Sequence, residues 1–315
     1  NLNTKNYIIT FMNNSPIINS KSFSDDEIDI RALFKVLWDG KGLIVALTAL
    51  FAIAAVIYSL SLPNIYQSKA LLSPVGEQGG SNQSMKNLGG LASLAGFGLP
   101  NQGGANSIKA MEKLRTLSFF KDNILPNIFL PDLMALESWD ADNNVINYNP
   151  NLYNSEQQAW TEIPSPQKSY KVFMQSLNFS KNFDTGSVTI VIKHQSPHIA
   201  KEWAELIVNQ LNNFFRSKDK QEAQAAMNFL NAQIAQTSLS EIKQVIAQLL
   251  QQKIQTLTLI EANEFYVFSY LDPPMVMEEK VEPTRSSISI LGAILGGMLG
   301  LLFVIIRQYF INRSI

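Results

Sequence analysis

The chain has 315 residues, a formal net charge of -1 and no cysteine. The near-neutral balance supplies no basic face for nucleic acid. The missing thiols exclude zinc–thiolate sites, disulfides and cysteine nucleophiles. Two stretches without a charged residue, Gly42 to Leu62 and Ile288 to Ile306, bracket a more polar middle. At ~1.5 Å per helical residue, each is long enough for a hydrocarbon core of ~30 Å.

Residues 1–23 are rich in Asn, Ser and Ile without a period, and read as a tail. Ser24 and Glu27 have capping-box spacing. Ile30, Leu33, Phe34, Leu37 and Trp38 follow at helical spacing, with Asp29, Arg31, Lys35 and Asp39 on other faces. This predicts an amphipathic helix at the membrane surface, with Phe34 and Trp38 at the headgroup level. The next stretch, Gly42 to Leu62, ends in Leu60-Ser61-Leu62-Pro63, which is no small-residue cleavage site. An uncleaved anchor is expected.

Ile65 to Leu72 alternates as a strand does. Residues 76–104 are crowded with Gly, Ser, Asn and Gln. Gly90 and Gly96 lack Walker A spacing, and Phe97 stands where the phosphate-binding lysine would be. A membrane-proximal loop is the expectation. A helix follows from Ser107 to Lys121, then a loop over 137–166 and a weak helix over Gln167 to Gln175. Leu177 to Ser180 and Ser187 to His194 flank Asp184-Thr185-Gly186, a hairpin signal. Ser196 and Pro197 suit the cap and first position of another helix.

From Lys218 to about Ala262 there is no Gly or Pro. Met227, Leu230, Ile234 and Leu249 belong to a narrow apolar seam filled out with Gln, which predicts a long helix or a pair of helices. Thr237 to Ser240 can interrupt it, since Ser238 and Glu241 form a second capping box. Such a seam needs a partner, and a neighbouring copy of the chain is favoured over the same chain. Phe265 to Tyr270 reads as a strand close to the one at Ile65. The second apolar stretch carries Gly292, Gly296 and Gly300 on one helix face, the spacing for close helix packing.

The predicted fold class is α+β. A membrane-anchored domain with a small mixed sheet near the membrane and a long extended helix is flanked by two transmembrane helices. The divisions are a tail at 1–41, spans at 42–62 and 288–306, the main domain at 63–287 and a tail at 307–315. Lys21, Arg31, Lys35, Lys41, Arg307 and Arg313 on the terminal side outnumber Lys69, Lys280 and Arg285 on the central side. That bias puts both termini in the cytoplasm and the main domain in the periplasm.

No catalytic, cofactor or metal motif is visible. His194 ends a strand and His198 follows Pro197, so the pair does not share a helix face for a metal. No G-x-S-x-G or H-E-x-x-H occurs. Neither span holds an ionisable residue, which argues against an ion path.

Two segments carry a resemblance. Ile28 to Gly40 (IDIRALFKVLWDG) resembles the amino-terminal signature of the Wzz-type chain-length determinants, the polysaccharide co-polymerases. Phe265 through Pro274 and Pro283 into Leu291 to Gly300 is similar to their carboxy-terminal signature. Without a cytoplasmic Walker domain, the chain resembles the kinase-free class 1. The resemblance implies an inner-membrane homo-oligomer that regulates the length of a surface polysaccharide (O-antigen or a related lipopolysaccharide or capsule glycan). Its implied partners are a separate membrane polymerase, a lipid-linked glycan and membrane lipids. No enzyme activity and no cofactor are implied. The alternative is a periplasmic adaptor or scaffold of a polysaccharide export machine.

Overall fold

The computed structural model describes residues 30–75 and 103–313. The capping box at Ser24 and Glu27, and nearly all of the glycine-rich loop, lie outside the described residues. The chain divides into two compact units: residues up to Val56 together with those from Ile288 onward, and Ile57–Ser287.

Three helices account for the first unit. α1 spans Ile30–Asp39, α2 spans Lys41–Ser61, and α8, which begins at the end of the second unit, spans Arg285–Arg313. α8 overruns the expected 288–306 at both ends, because no Gly or Pro stops it between Pro283 and Gly292 or after Gly300. Val45, Leu50, Ile53, Leu295, Met298 and Phe303 are all exposed. Apolar side chains all round a helix, left bare by the rest of the protein, suit a hydrocarbon solvent.

The second unit is built on a four-stranded sheet in the order β6-β7-β1-β8. The strands are β1 Tyr66–Pro74, β6 Leu177–Lys181, β7 Val188–His194 and β8 Phe268–Asp272. A mixed sheet was expected, but every pair is antiparallel. The reason is local: β6 and β7 turn directly at Asp184-Thr185-Gly186, where Gly186 takes φ 71. Tyr66 lies opposite His194 and Leu72 opposite Val188. Val188, Ile190, Ile192 and His194 are buried in alternation, as are Ser68, Ala70 and Leu72 beside them. One face of the sheet is therefore covered.

α6, spanning Pro197–Gln236, packs across β1 and β7 on that face. Its Trp203, Ile207 and Leu211 are fully buried. Trp203 meets Phe173 of α5 (Pro166–Ser176) at 5.9 Å between ring centroids, and Phe173 meets Phe120 at 5.1 Å. Ser196 caps α6 by accepting from the Ile199 amide, with Pro197 in the first turn. With no later Gly or Pro, α6 runs unbroken for 40 residues, about 60 Å. The long helix thus begins at Pro197 rather than near Lys218. It ends at Thr237-Ser238-Leu239, and α7 takes over at Ser240–Ala262. Leu239 is the cap of α7 and contributes no side-chain bond, so the capping box of Ser238 and Glu241 does not form.

α3 begins at Gly103, so Ser107 lies inside the helix, where it is buried and accepts from the Lys181 ammonium at 3.3 Å. After α3 (Gly103–Leu114) come the helical turns Leu117–Phe119, Phe120–Ile124 and Leu125–Asn127, then α4, Leu130–Met134. The expected loop over 137–166 contains two small hairpins, β2 Leu136–Asp140 with β3 Val145–Tyr148, and β4 Tyr153–Asn154 with β5 Ala159–Trp160. They are held by rings: Trp139 stands edge-on to Tyr66 at 5.4 Å, and Trp160 meets Tyr153 at 5.1 Å. The Tyr66 contact comes from distant sequence, which periodicity does not register.

Candidate functional site

Three arrangements stand out, and the first is the pairing of the two spans. Gly292, Gly296 and Gly300 recur every fourth residue, so they form one stripe along α8. The stripe lies against α2. A Cβ on Gly296 would sit 2.7 Å from the Phe51 Cβ and 2.9 Å from the Thr48 Cα. One on Gly300 would be 3.0 Å from the Ile44 Cα, and one on Gly292 would run into the Ala55 Cβ. Hydrogen at these positions lets the helix backbones touch, and dispersion between the surfaces then holds the pair. Gly40, between α1 and α2, is similarly close to Val304 of α8.

On α1, Phe34 and Trp38 are exposed and stack at 6.3 Å. The Lys41 ammonium lies 4.5 Å from the Trp38 ring centre.

The second arrangement is a clamp where the main domain meets its two connections. Three residues after α2, Asn64 accepts from the Lys280 ammonium at 3.0 Å and from the Arg285 guanidinium at 3.1 Å. The next residue, Ile65, donates to the Glu282 carbonyl at 2.8 Å and accepts from the Val281 amide at 2.8 Å. The Glu282 carboxylate is paired with Lys193 of β7. The chain leaving α2 and the chain approaching α8 are thereby zipped together.

The third is the helical hairpin of α6 and α7. Residues withheld from solvent on the outer half of α6 fall at Ala223, Met227, Leu230 and Ile234; on α7 they fall at Ile246, Leu249, Leu257 and Ile260. Both sets follow helical spacing, and the two helices pack together. Lys220 pairs with Glu261, and the Arg216 guanidinium donates to the carbonyls of Asn263 and Glu264 beyond the end of α7. The seam of Met227, Leu230, Ile234 and Leu249 is therefore half-buried within the chain. Phe229, Ile242, Val245, Ile254 and Leu259 of the hairpin stay exposed.

Two buried polar nodes fasten these parts, and periodicity signals neither. Asn212 of α6 donates to the Phe268 carbonyl at 2.9 Å and accepts from the amides of Val267 (2.8 Å) and Phe268 (2.9 Å). His194 accepts at Nδ1 from the Ser196 amide at 3.0 Å. Its Nε2 then carries the hydrogen and donates to the Asp132 carbonyl at 3.1 Å. Burial pushes the His194 pKa down. Burial pushes the Asp132 carboxyl up, opposed by the Tyr148 hydroxyl that donates to it at 2.5 Å. Both groups serve the fold: His194 bridges α4 to the cap of α6. Among the described residues no cluster of His, Asp or Glu could hold a metal ion.

The family model described as Wzz, chain length determinant protein, matches residues 26–114, which hold α1, α2, β1 and α3. That segment of the chain is similar to the Wzz family. A solved structure described as a full-length bacterial polysaccharide co-polymerase is similar at 15% identity, covering 91% of this chain and 99% of that one, with a TM-score of 0.40. No curated protein matches the chain. The matched segment takes in the whole Ile28 to Gly40 motif and the first span, so the Wzz-like signature includes Phe34, Trp38 and Gly40. Two helices, Lys41–Ser61 and Arg285–Gln308, are long and apolar enough to cross a membrane.

Proposed function

We propose that this chain regulates the length of a surface polysaccharide from the inner membrane, as a regulator and not as an enzyme. The observation that carries the reading is the chain-length-determinant match over residues 26–114, on a chain whose two apolar helices bracket one large unit. The main domain is read as periplasmic, with both termini in the cytoplasm. The Lys and Arg excess on the terminal side supports that orientation.

The working form is read as a homo-oligomer beside a separate polymerase that handles a lipid-linked glycan. Exposed Phe229, Val245 and Leu259 supply apolar surface for contact between hairpins of neighbouring copies. Phe34 and Trp38 are read as resting at the headgroup level. A ring of such hairpins would bound the space in which the glycan grows. Deleting the gene in its host and resolving the surface polysaccharide by gel tests the reading. Loss of the preferred length is expected, and an unchanged distribution would sink it.

A further inference from the structure

We propose that Phe129, Tyr148 and Trp160 form a platform that binds uncharged sugar units of the growing glycan, beside the end of the sheet where the chain leaves α2. The inference deepens the chain-length reading and rests on it for the identity of the partner.

Four rings make one continuous patch on the two small hairpins and the turn ahead of α4. Tyr153 is buried at its centre, 5.1 Å from Trp160, 5.6 Å from Tyr148 and 6.0 Å from Phe129 between ring centroids. Phe129 also meets Tyr148 at 6.1 Å. Tyr148 is fixed further by its hydroxyl, which donates to buried Asp132. The outer rings are thus held in place without a ligand, and such preorganisation favours binding. The patch is not closed over. Phe129 is 51% exposed, and Tyr148 and Trp160 keep part of their surface in solvent. Leu152, whose carbonyl accepts from the Thr161 amide next to Trp160, is 46% exposed.

The surroundings supply the chemical class. An aromatic face carries negative potential and attracts the polarised C–H bonds of a sugar ring. Sugar hydroxyls need partners that both donate and accept, as carboxamides do. Asn151 and Asn154 flank Leu152 and Tyr153, and Gln157 and Gln158 lie in the turn before Trp160; all four are exposed. No Lys or Arg occurs between Lys121 and Lys168, and Lys168 is paired with Glu162 at 4.0 Å. Glu137, Asp142 and Glu156 of the same segment are exposed. That charge disfavours phosphate, nucleic acid and acidic sugars, and selects an uncharged saccharide.

Position agrees. Trp139 of β2 stands against Tyr66, five residues beyond the end of α2. The Asp132 carbonyl accepts from His194, which lies opposite Tyr66 in the sheet. The hairpins therefore stand where the chain leaves the span, the level at which a lipid-linked glycan starts.

The test uses the full-length protein in nanodiscs and labelled oligosaccharides released by mild acid from its host's surface polysaccharide. Fluorescence anisotropy reads the Kd. F129A/W160A should bind about tenfold more weakly, the effect of truncating two aromatic anchors. W160F, which keeps a ring, should stay within about threefold of wild type. If the double variant does not fold, F129A alone, at an exposed position, should still weaken binding about fivefold. Polygalacturonate, a polymer of carboxylates, should not compete. Equal affinity in wild type and F129A overturns the proposal, as does competition by polygalacturonate or no binding by wild type at millimolar oligosaccharide. So does loss of self-association in F129A with glycan affinity intact, which would assign the platform to a second copy. A gene deletion that leaves glycan length unchanged would remove the regulatory reading and leave this binding result standing.

Discussion

Asn212 and Phe268 meet through two hydrogen bonds: the α6 carboxamide donates to the Phe268 carbonyl and accepts from its amide, both at 2.9 Å. The same oxygen takes the Val267 amide. A buried side chain thus satisfies the start of β8, where the chain comes down from the helical hairpin. Asn212→Ala removes these partners together and leaves two buried amides orphaned. At about 1–3 kcal/mol for each such group, the expected loss of stability is about 3 kcal/mol. Denaturant titration of the purified protein measures it, and a loss below about 1 kcal/mol would contradict this role.

The histidine latch gives a pH dependence of known sign. Above pH 6.5, the ordinary value, the His194 ring is neutral in folded and unfolded chains alike, and it adds no slope. As pH falls below that value, the unfolded chain takes up a proton that the buried ring refuses. Stability therefore drops until the lowered folded pKa is passed. Asp132 acts with the opposite sign. Its raised pKa means that the cost of a buried carboxylate is relieved as pH falls toward the ordinary carboxylate range. His194→Gln should flatten unfolding free energy between pH 7 and pH 5, removing at most about 1.4 kcal/mol per pH unit. Asp132→Asn removes the opposing contribution and should not flatten that slope.

The span pairing is testable because the chain has no cysteine of its own. A Cβ on Gly297 would stand 3.6 Å from the Thr48 Oγ1. T48C/G297C should therefore form an intramolecular disulfide on mild oxidation, read as a mobility shift reversed by reductant. Adding Gly296→Leu forces the backbones apart and should suppress the cross-link by several-fold. Cross-linking that ignores the Leu would refute close packing on the glycine stripe.

Ile246 and Ile260 are the buried anchors of α7. Truncating either to Ala should cost about 2–4 kcal/mol if the seam is a packed core. The loss should be local. Hydrogen exchange should rise in α7 and the outer half of α6, while β1 and β7 keep their protection. Uniform loss across the sheet would mean that hairpin and sheet unfold as one.

Patterns of short range were readable and partnerships of long range were not. The absence of charge announced both spans, and the Asp184 to Gly186 turn announced the β6–β7 hairpin. Ser196 and Pro197 marked the start of α6, but the distance it would run depended on the absence of any later stop. The apolar seam was visible; the packing of α7 beside it was not, because nothing local says which surface lies against Met227 and Leu230. Asn212 gave no sign, since a lone Asn in a helix pattern looks like solvent-facing surface until β8 is brought to it. Lys280 and Arg285 read only as a count of charges beside a span. Their meeting on Asn64 required the clamp.

The central claim is that this chain imposes a preferred length on a surface glycan. The most direct measurement is the repeat-number distribution, by gel densitometry, in a host strain lacking its own chain-length determinant and supplied with this chain on a plasmid. A distinct mode absent from the empty-vector control is the predicted result. A distribution indistinguishable from that control, with the protein present in the inner membrane, would contradict it.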